Sequence, residues 1–422
     1  MKSRKGGVVA GASLVIRNLE TGFTRTQMTD SKGSYSFSLL PVGRYELTVT
    51  AQGLKTINDG SVRVTLGQAS LQNFTLDSAE AAAVVEVVSD SATVDATQIN
   101  TQTSISQELV EAIPVNGRNF TDLVQMTPGA AVGTQSYYTT VEGARGVQNS
   151  LQIDGGSFNS RFNSEQRGGT RIPFSFGQDS IKELQVITNS FDAQYGDAVG
   201  AVINAVTKSG TNETTGMAFM LFRPDSLVAS VKTVPLDLSG INDRKVRERN
   251  FQSLQFGFNL GGPIIKDKLH YFVNVEFARK REDSVPAFGI TGDPQSTAFY
   301  GTGGMGSLLL TMPGRTLAEE NGRSWTDEQR NLVVMARVDW NINAEHRATF
   351  RLNSQDYRGL NDIYAGSRRS DVAESGNSTN KFKSLSGVME LNSILGANLV
   401  NEVRIQGAKE ERPTTPNSTI CS

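Results

Sequence analysis

The sequence predicts a mainly β chain built as three successive units. An N-terminal β-sandwich of transthyretin or immunoglobulin-like type comes first, then a small α+β unit, then the first strands of an incomplete transmembrane β-barrel. Three observations carry this. Past Gly210 the chain becomes a series of segments, each about ten residues long, apolar on one parity and polar on the other. Glycine is abundant, at 41 residues, much of it in turn contexts such as Ser31-Lys32-Gly33 and Leu260-Gly261-Gly262-Pro263. No window approaches 18 unbroken apolar residues, which excludes a helical span, and a barrel of alternating strands leaves that same absence.

Bulk properties narrow the function. A chain of 422 residues needs more than one core. Its formal net charge of −2 gives no global field that would select nucleic acid. The single cysteine, Cys421, excludes an internal disulfide, and His270 and His346 alone leave little room for a zinc site. No cofactor is expected. Residues 1–16 have a basic start and an apolar run, as a signal peptide does, but no small-residue cleavage site follows. Val8 to Asn18 reads better as a strand, so the export signal is expected upstream of Met1.

Residues 1–78 form the first unit. Tyr35, Phe37 and Leu39 alternate with serines. After Pro41-Val42-Gly43, Tyr45, Leu47 and Val49 alternate with polar residues, which predicts a hairpin. Val62 to Val64 and Phe74 to Leu76 add strands. The order TDSKGSYSFSLLPVGRYELTVTAQG resembles the carboxypeptidase-regulatory-like domain, here expected to be a spacing module. Residues 79–107 are small and polar and read as a linker. Within them Val84, Val85, Glu86, Val87 and Val88 form a β-prone island. It reads equally as the last strand of the sandwich or as a segment that adds to a partner's sheet edge.

Residues 108–212 form the second unit. A short apolar-spaced helix, residues 107–113, stops at Pro114, and a helical stretch, 121–126, stops at Pro128-Gly129. Strands are expected at residues 151–154, 180–186 and 201–206. The phrase IPVNGRNFTDLVQMTPGA contains Asn116, Gly117, Arg118 and Asn119. It is followed by an Arg145-Gly146 turn, a strand ending in Asp154-Gly155, and Tyr195-Gly196 ahead of an apolar strand. This ordered set resembles the plug of TonB-dependent outer-membrane receptors, in the Oar-like branch. Gln185 stands where that family usually has Glu.

Residues 213–422 carry the barrel segments. Leu254, Phe256, Phe258 and Leu260 share one face; so do Tyr271, Val273, Val275 and Phe277; so do Val334, Ala336, Val338 and Trp340. Arg337, Asp339, Arg351, Glu276 and Arg404 fall on the opposite parity, where a wet lumen spares them desolvation. Tyr271, Trp340 and Tyr357 are expected in an interfacial aromatic girdle. A soluble sandwich would alternate too, with its apolar faces packed together. Connections that alternate between short and long, and the phrase GGPIIKDKLHYFVNVEF, which resembles early strands of this family, favour the membrane. A plug of about 100 residues has a radius of gyration near 13 Å. About 22 strands enclose a plugged lumen, and the segments here supply about eight to ten, so the barrel is expected to be a part of a longer one.

Enzymatic signatures are missing. Gly301 to Gly306 spells G-x-G-x-x-G but lies in a polar loop outside any βαβ unit. The basic run 244–249 is read as a solvated loop, with lipopolysaccharide phosphate as the alternative contact. The resemblance implies energised uptake of a large, scarce extracellular substrate across the outer membrane of a Gram-negative bacterium, with the N-terminal unit and plug periplasmic. TonB would then grip Val84 to Val88, and lipid and lipopolysaccharide would surround the barrel. The rival reading is an adhesion or secretion barrel that keeps the plug as a stopper.

Overall fold

One side chain in two is buried along the strands of the first unit. The computed structural model describes residues 1–4, 6–78, 85–86, 100–132, 139–161, 166–167, 172–191, 195–196, 198–228, 251–284, 325–362, 377–396 and 399–417. Strands β1 (Lys2–Ser3), β2 (Ser13–Asn18), β3 (Thr24–Met28), β4 (Gly43–Thr50), β5 (Ile57–Val64), β6 (Thr75–Leu76) and β7 (Val85–Glu86) make up this unit. The main sheet has the order β3-β2-β4-β5-β7, and β6 runs parallel to β1. Leu14, Ile16, Tyr45, Leu47, Val49, Phe74 and Leu76 fill the core between them.

The hairpin expected before β4 does not form, since residues 33–42 adopt no strand. The Asp30 carboxylate accepts the main-chain N–H groups of Lys32 and Ser34, both at 2.8 Å, and curls the chain. Arg25 donates to the Ser38 carbonyl, occupying an acceptor that a ladder would use. Tyr35 instead packs on Phe37, and its hydroxyl donates to the Gln72 carbonyl at 2.8 Å.

The second unit contains β8 (Gln102–Ile105), α1 (Gln107–Ala112), β9 (Ala130–Val132), β10 (Thr139–Val141), β11 (Ser150–Ile153), β12 (Gly156–Ser157), β13 (Ile181–Ile187) and β14 (Val202–Thr207). Its sheet runs β12-β11-β14-β13-β8. Pairing is parallel between β11 and β14 and antiparallel elsewhere. The end of the stretch read as linker is thus the edge strand β8, held because Ile105 is fully buried in this core. The expected helix after residue 120 is a 3-10 helix, Phe120–Met126, capped by the Asn119 side chain, which accepts from Thr121 N at 3.2 Å. Val110, Phe120, Leu123 and Val124 cover the sheet.

The third unit is a curved antiparallel wall. It contains β15 (Thr215–Pro224), β16 (Gln252–Ile265), β17 (Leu269–Ser284), β18 (Trp325–Asn341), β19 (His346–Asp362), β20 (Ser378–Ile394), β21 (Val400–Glu411) and β22 (Thr414–Pro416). Strands β15 to β21 pair in sequence, and β22 pairs with the start of β20. Several exceed the expected nine to eleven residues, with 17 each in β18, β19 and β20. Their ends nearer the long connections turn charged residues outward, beyond the length a bilayer needs.

Burial along the wall is inverted relative to a soluble sheet. Glu276, Asn331, Asn353 and Gln355 are at most 2% exposed, while Phe256, Phe258, Trp340, Phe350 and Leu352 are 41–51% exposed. The polar face packs on the second unit, which sits in the hollow as a plug. Stacked sheets would have hidden the oily face instead. Tyr357 departs from the expected girdle: it points inward, 1% exposed, against Ile172 and Phe382. Its parity is that of Arg351 and Asn353, which assigns it to the lumen.

The first unit sits at the end of the wall that carries the short turns. Arg25 Nε donates to the Ala344 carbonyl at 3.3 Å, and Asn212 N donates to the Glu20 carbonyl at 2.8 Å. Lys182 Nζ lies 2.9 Å from Glu20, and Arg63 Nη2 lies 2.7 Å from Glu108. Leu66 N donates to Glu183 at 3.2 Å.

Candidate functional site: the plug and wall interface

Two clusters of buried charge join the plug to the wall. The first forms around Arg118, which follows Pro114 in a tight turn, Asn116–Arg118. Its guanidinium pairs with Asp179 of the plug, and its Nε lies 3.4 Å from Glu276 of β17. The same group sits 3.9 Å from the centroid of the Phe219 ring on β15. Gln255 of β16 donates to Glu276 at 2.6 Å and to the Gly117 carbonyl at 3.4 Å. The Arg118 cation therefore touches two wall strands, and its turn touches a third through Gly117.

The second cluster centres on Asp154, at the turn after β11. Its carboxylate accepts Thr207 N and Thr207 Oγ1, each at 2.9 Å, which ties that turn to the end of β14. Two wall guanidiniums approach the same carboxylate: Arg337 Nη1 at 3.1 Å and Arg351 Nε at 2.7 Å. Arg337 forks onto Asp339 at 2.8 and 2.9 Å, and Arg347 and Thr349 also donate to Asp339. Three guanidiniums thus share two carboxylates. Apart from Arg347, their side chains are at most 8% exposed. Such a network is stable only while every member is present.

Contacts to main-chain carbonyls extend the seam. Arg404 Nη1 donates to the Gly155 carbonyl at 3.1 Å, and Gln406 donates to the Ser157 carbonyl at 2.6 Å. Gly155 has φ +68°, a backbone that favours glycine, and a Cβ there would fall 2.3 Å from the Arg404 guanidinium carbon, so the arginine would have to shift. Asn331 and Gln355 both donate to the Phe174 carbonyl, at 2.9 and 2.8 Å. Phe272 and Met335 carry the plug's apolar core onto the wall.

Of the residues singled out in the sequence, Gly117, Arg118, Asp154 and Gly155 meet the wall. Asn116 shapes the turn through its backbone, and Asn119 caps the 3-10 helix. Arg145 is exposed; Arg145 and Gly146 build a turn in which Arg145 N donates to Gln148 at 2.9 Å. Tyr195 is half-buried and Gly196 exposed. Val85 and Glu86 pair parallel with Ile57 and Asn58 as edge strand β7. Val84, Val87 and Val88 lie outside the described residues, as do 244–249 and 301–306. Arg337, Arg351, Asp339 and Glu276 are wall partners that polar parity placed in the lumen without naming what they bind.

Comparison with known proteins bears on this geometry. Residues 2–77 match the family model of the carboxypeptidase regulatory-like domain, and residues 206–302 match that of an outer membrane beta barrel domain. The chain is 26% identical over 349 residues to the TonB-dependent transporter Oar of Myxococcus xanthus, covering 78% of this chain and 30% of that relative. This chain is a homologue of that TonB-dependent transporter. It is also 28% identical over 197 residues to a probable TonB-dependent siderophore receptor, PirA, of Acinetobacter baumannii, covering 43% of this chain and 23% of that one. The crystal structure of the outer membrane transporter YddB from Escherichia coli shares the fold, with a TM-score of 0.50 at 11% identity over 73% of this chain and 38% of the other. The chain spans less than a third of the length of the two curated relatives. Its wall belongs to the outer membrane.

Proposed function

We propose that the protein takes part in TonB-dependent uptake of a large, scarce substrate across the outer membrane, with TonB gripping residues 84–88. The observation that supports this is a plug bonded unevenly to its wall. Strands β11, β12 and β14 are held by Asp154, Gly155 and Ser157, whereas β8, at the far edge of the plug sheet, is held to β13 by four residue pairs. Tension applied N-terminal to β8 peels those pairs one after another. The latched half stays in place, and a passage opens beside it.

The reading is tested by joining the strand that must peel. Ser104 and Gln185 face each other across β8 and β13. In the full-length receptor, Ser104→Cys with Gln185→Cys is expected to stop accumulation of labelled medium components in intact cells until reductant is added. Accumulation in the wild type is expected to cease with a protonophore. Val87→Pro, which removes a main-chain donor needed for strand addition, is expected to abolish binding of the TonB periplasmic domain. Protonophore-insensitive uptake, or none, would favour the stopper in an adhesion or secretion barrel.

A further inference from the structure

Four cations stand in line across the outer face of the wall. The register sets Arg279 of β17 opposite Arg330 of β18, Arg330 opposite Arg358 of β19, and Arg358 opposite Lys381 of β20. Directly paired residues share a face, and this row has the outward parity of Phe277, Leu332 and Leu385. It lies just past the oily belt, toward the long connections and away from the N-terminal unit. Like charges set directly opposite one another destabilise a sheet, so an unbroken row of four needs a counter-charge.

The chain supplies only part of it. Glu328, in the next row, is shared by Arg279 at 3.0 Å, Arg281 at 3.5 Å and Arg330. On the other side Asp356 faces Lys383 at 3.6 Å, and Glu411 is held by Lys409 at 2.8 Å. Asp283, farther out, accepts from Thr326 at 2.9 Å. Among the described residues no acidic side chain pairs with Arg358 or Lys381, both of which are exposed.

We propose that this row binds the phosphates of lipid headgroups in the leaflet on the side of the long connections. Three strand spacings give it a width of about 15 Å, broad enough for more than one phosphate. Arginine forks match phosphate oxygens two at a time. Its place at the edge of the lipid-facing belt is where long cationic side chains reach headgroups. The proposal is independent of what the receptor transports.

The test uses the full-length receptor refolded in phosphatidylcholine vesicles with or without lipid A. Wild type is expected to retain lipid A, with retention falling as salt rises. Arg330→Gln with Arg358→Gln is expected to bind roughly tenfold more weakly, while the corresponding double lysine variant keeps most of the affinity. Lys409→Gln, off the row, is expected to behave as wild type. The anomalous electrophoretic mobility of a folded barrel checks that each variant has folded. Unchanged retention in the double glutamine variant would overturn the proposal. So would displacement of lipid A by millimolar inorganic phosphate, since the site would then belong to a soluble anion.

Discussion

Single side chains decide whether the plug stays in its seat. Asp154 is the one plug carboxylate that meets both Arg337 and Arg351, so its loss strands two buried cations. Asp154→Asn preserves shape and the acceptor for Thr207 but removes the charge. It is expected to weaken plug docking by about 3–5 kcal/mol, read as earlier protease cleavage of the plug in a urea series on the refolded receptor. Glu183 offers a pH test. Burial raises its carboxyl above the ordinary range, against the opposing hydrogen bond from Leu66 N. The folded state then holds a proton where the unfolded chain has released it, so the residue's contribution worsens as pH rises through that interval. Glu183→Gln is expected to melt above wild type at pH near 7.5, the gap closing as pH falls toward about 4.

At the scale of elements, the wall strands were the most legible part of the sequence and the first hairpin the least. Period-2 alternation assigned a face to Phe256, Phe258, Trp340 and Phe350, because in a barrel one parity must meet lipid whatever else the protein does. The same alternation failed at Tyr35 to Leu39, where the Asp30 turn and Arg25 took the main-chain groups a ladder would have used. For the candidate site, Gly117, Arg118, Asp154 and Gly155 were visible as phrases. Their wall partners lie from about 100 to 250 positions away along the chain, beyond what any local pattern encodes. The assignment of faces has a direct check. Phe350→Arg, in the oily belt, is expected to cost about 2–4 kcal/mol of folding into lipid bilayers, and Leu360→Arg, past the belt, about 0–1 kcal/mol.

Across the whole molecule, the N-terminal unit is not a free appendage. It is bonded to plug and wall at the end of the short turns through Glu20, Arg25, Arg63 and Leu66. The Glu20–Lys182 pair is the least exposed of these ion pairs, at 25% and 13%. A double-mutant cycle on Glu20→Gln and Lys182→Gln, read by thermal unfolding, is expected to give a coupling of about 0.5–1 kcal/mol. Zero coupling would mean that this ion pair does not help hold the unit to the plug.

Residues 208–214 run from the end of β14 to the start of β15. Within them Gly210 is wedged so tightly that an added Cβ would fall 2.2 Å from the Tyr271 carbonyl oxygen and 2.7 Å from that of Gly262. The cork is therefore on a leash stapled to the rim of its own bottle. However far its free edge is drawn out, the loosened strand stays within a short tether's reach of its slot, at an effective concentration on the order of millimolar. In the proposed cycle, resetting would be a local reannealing rather than a search, and the bore would reseal without help from another molecule.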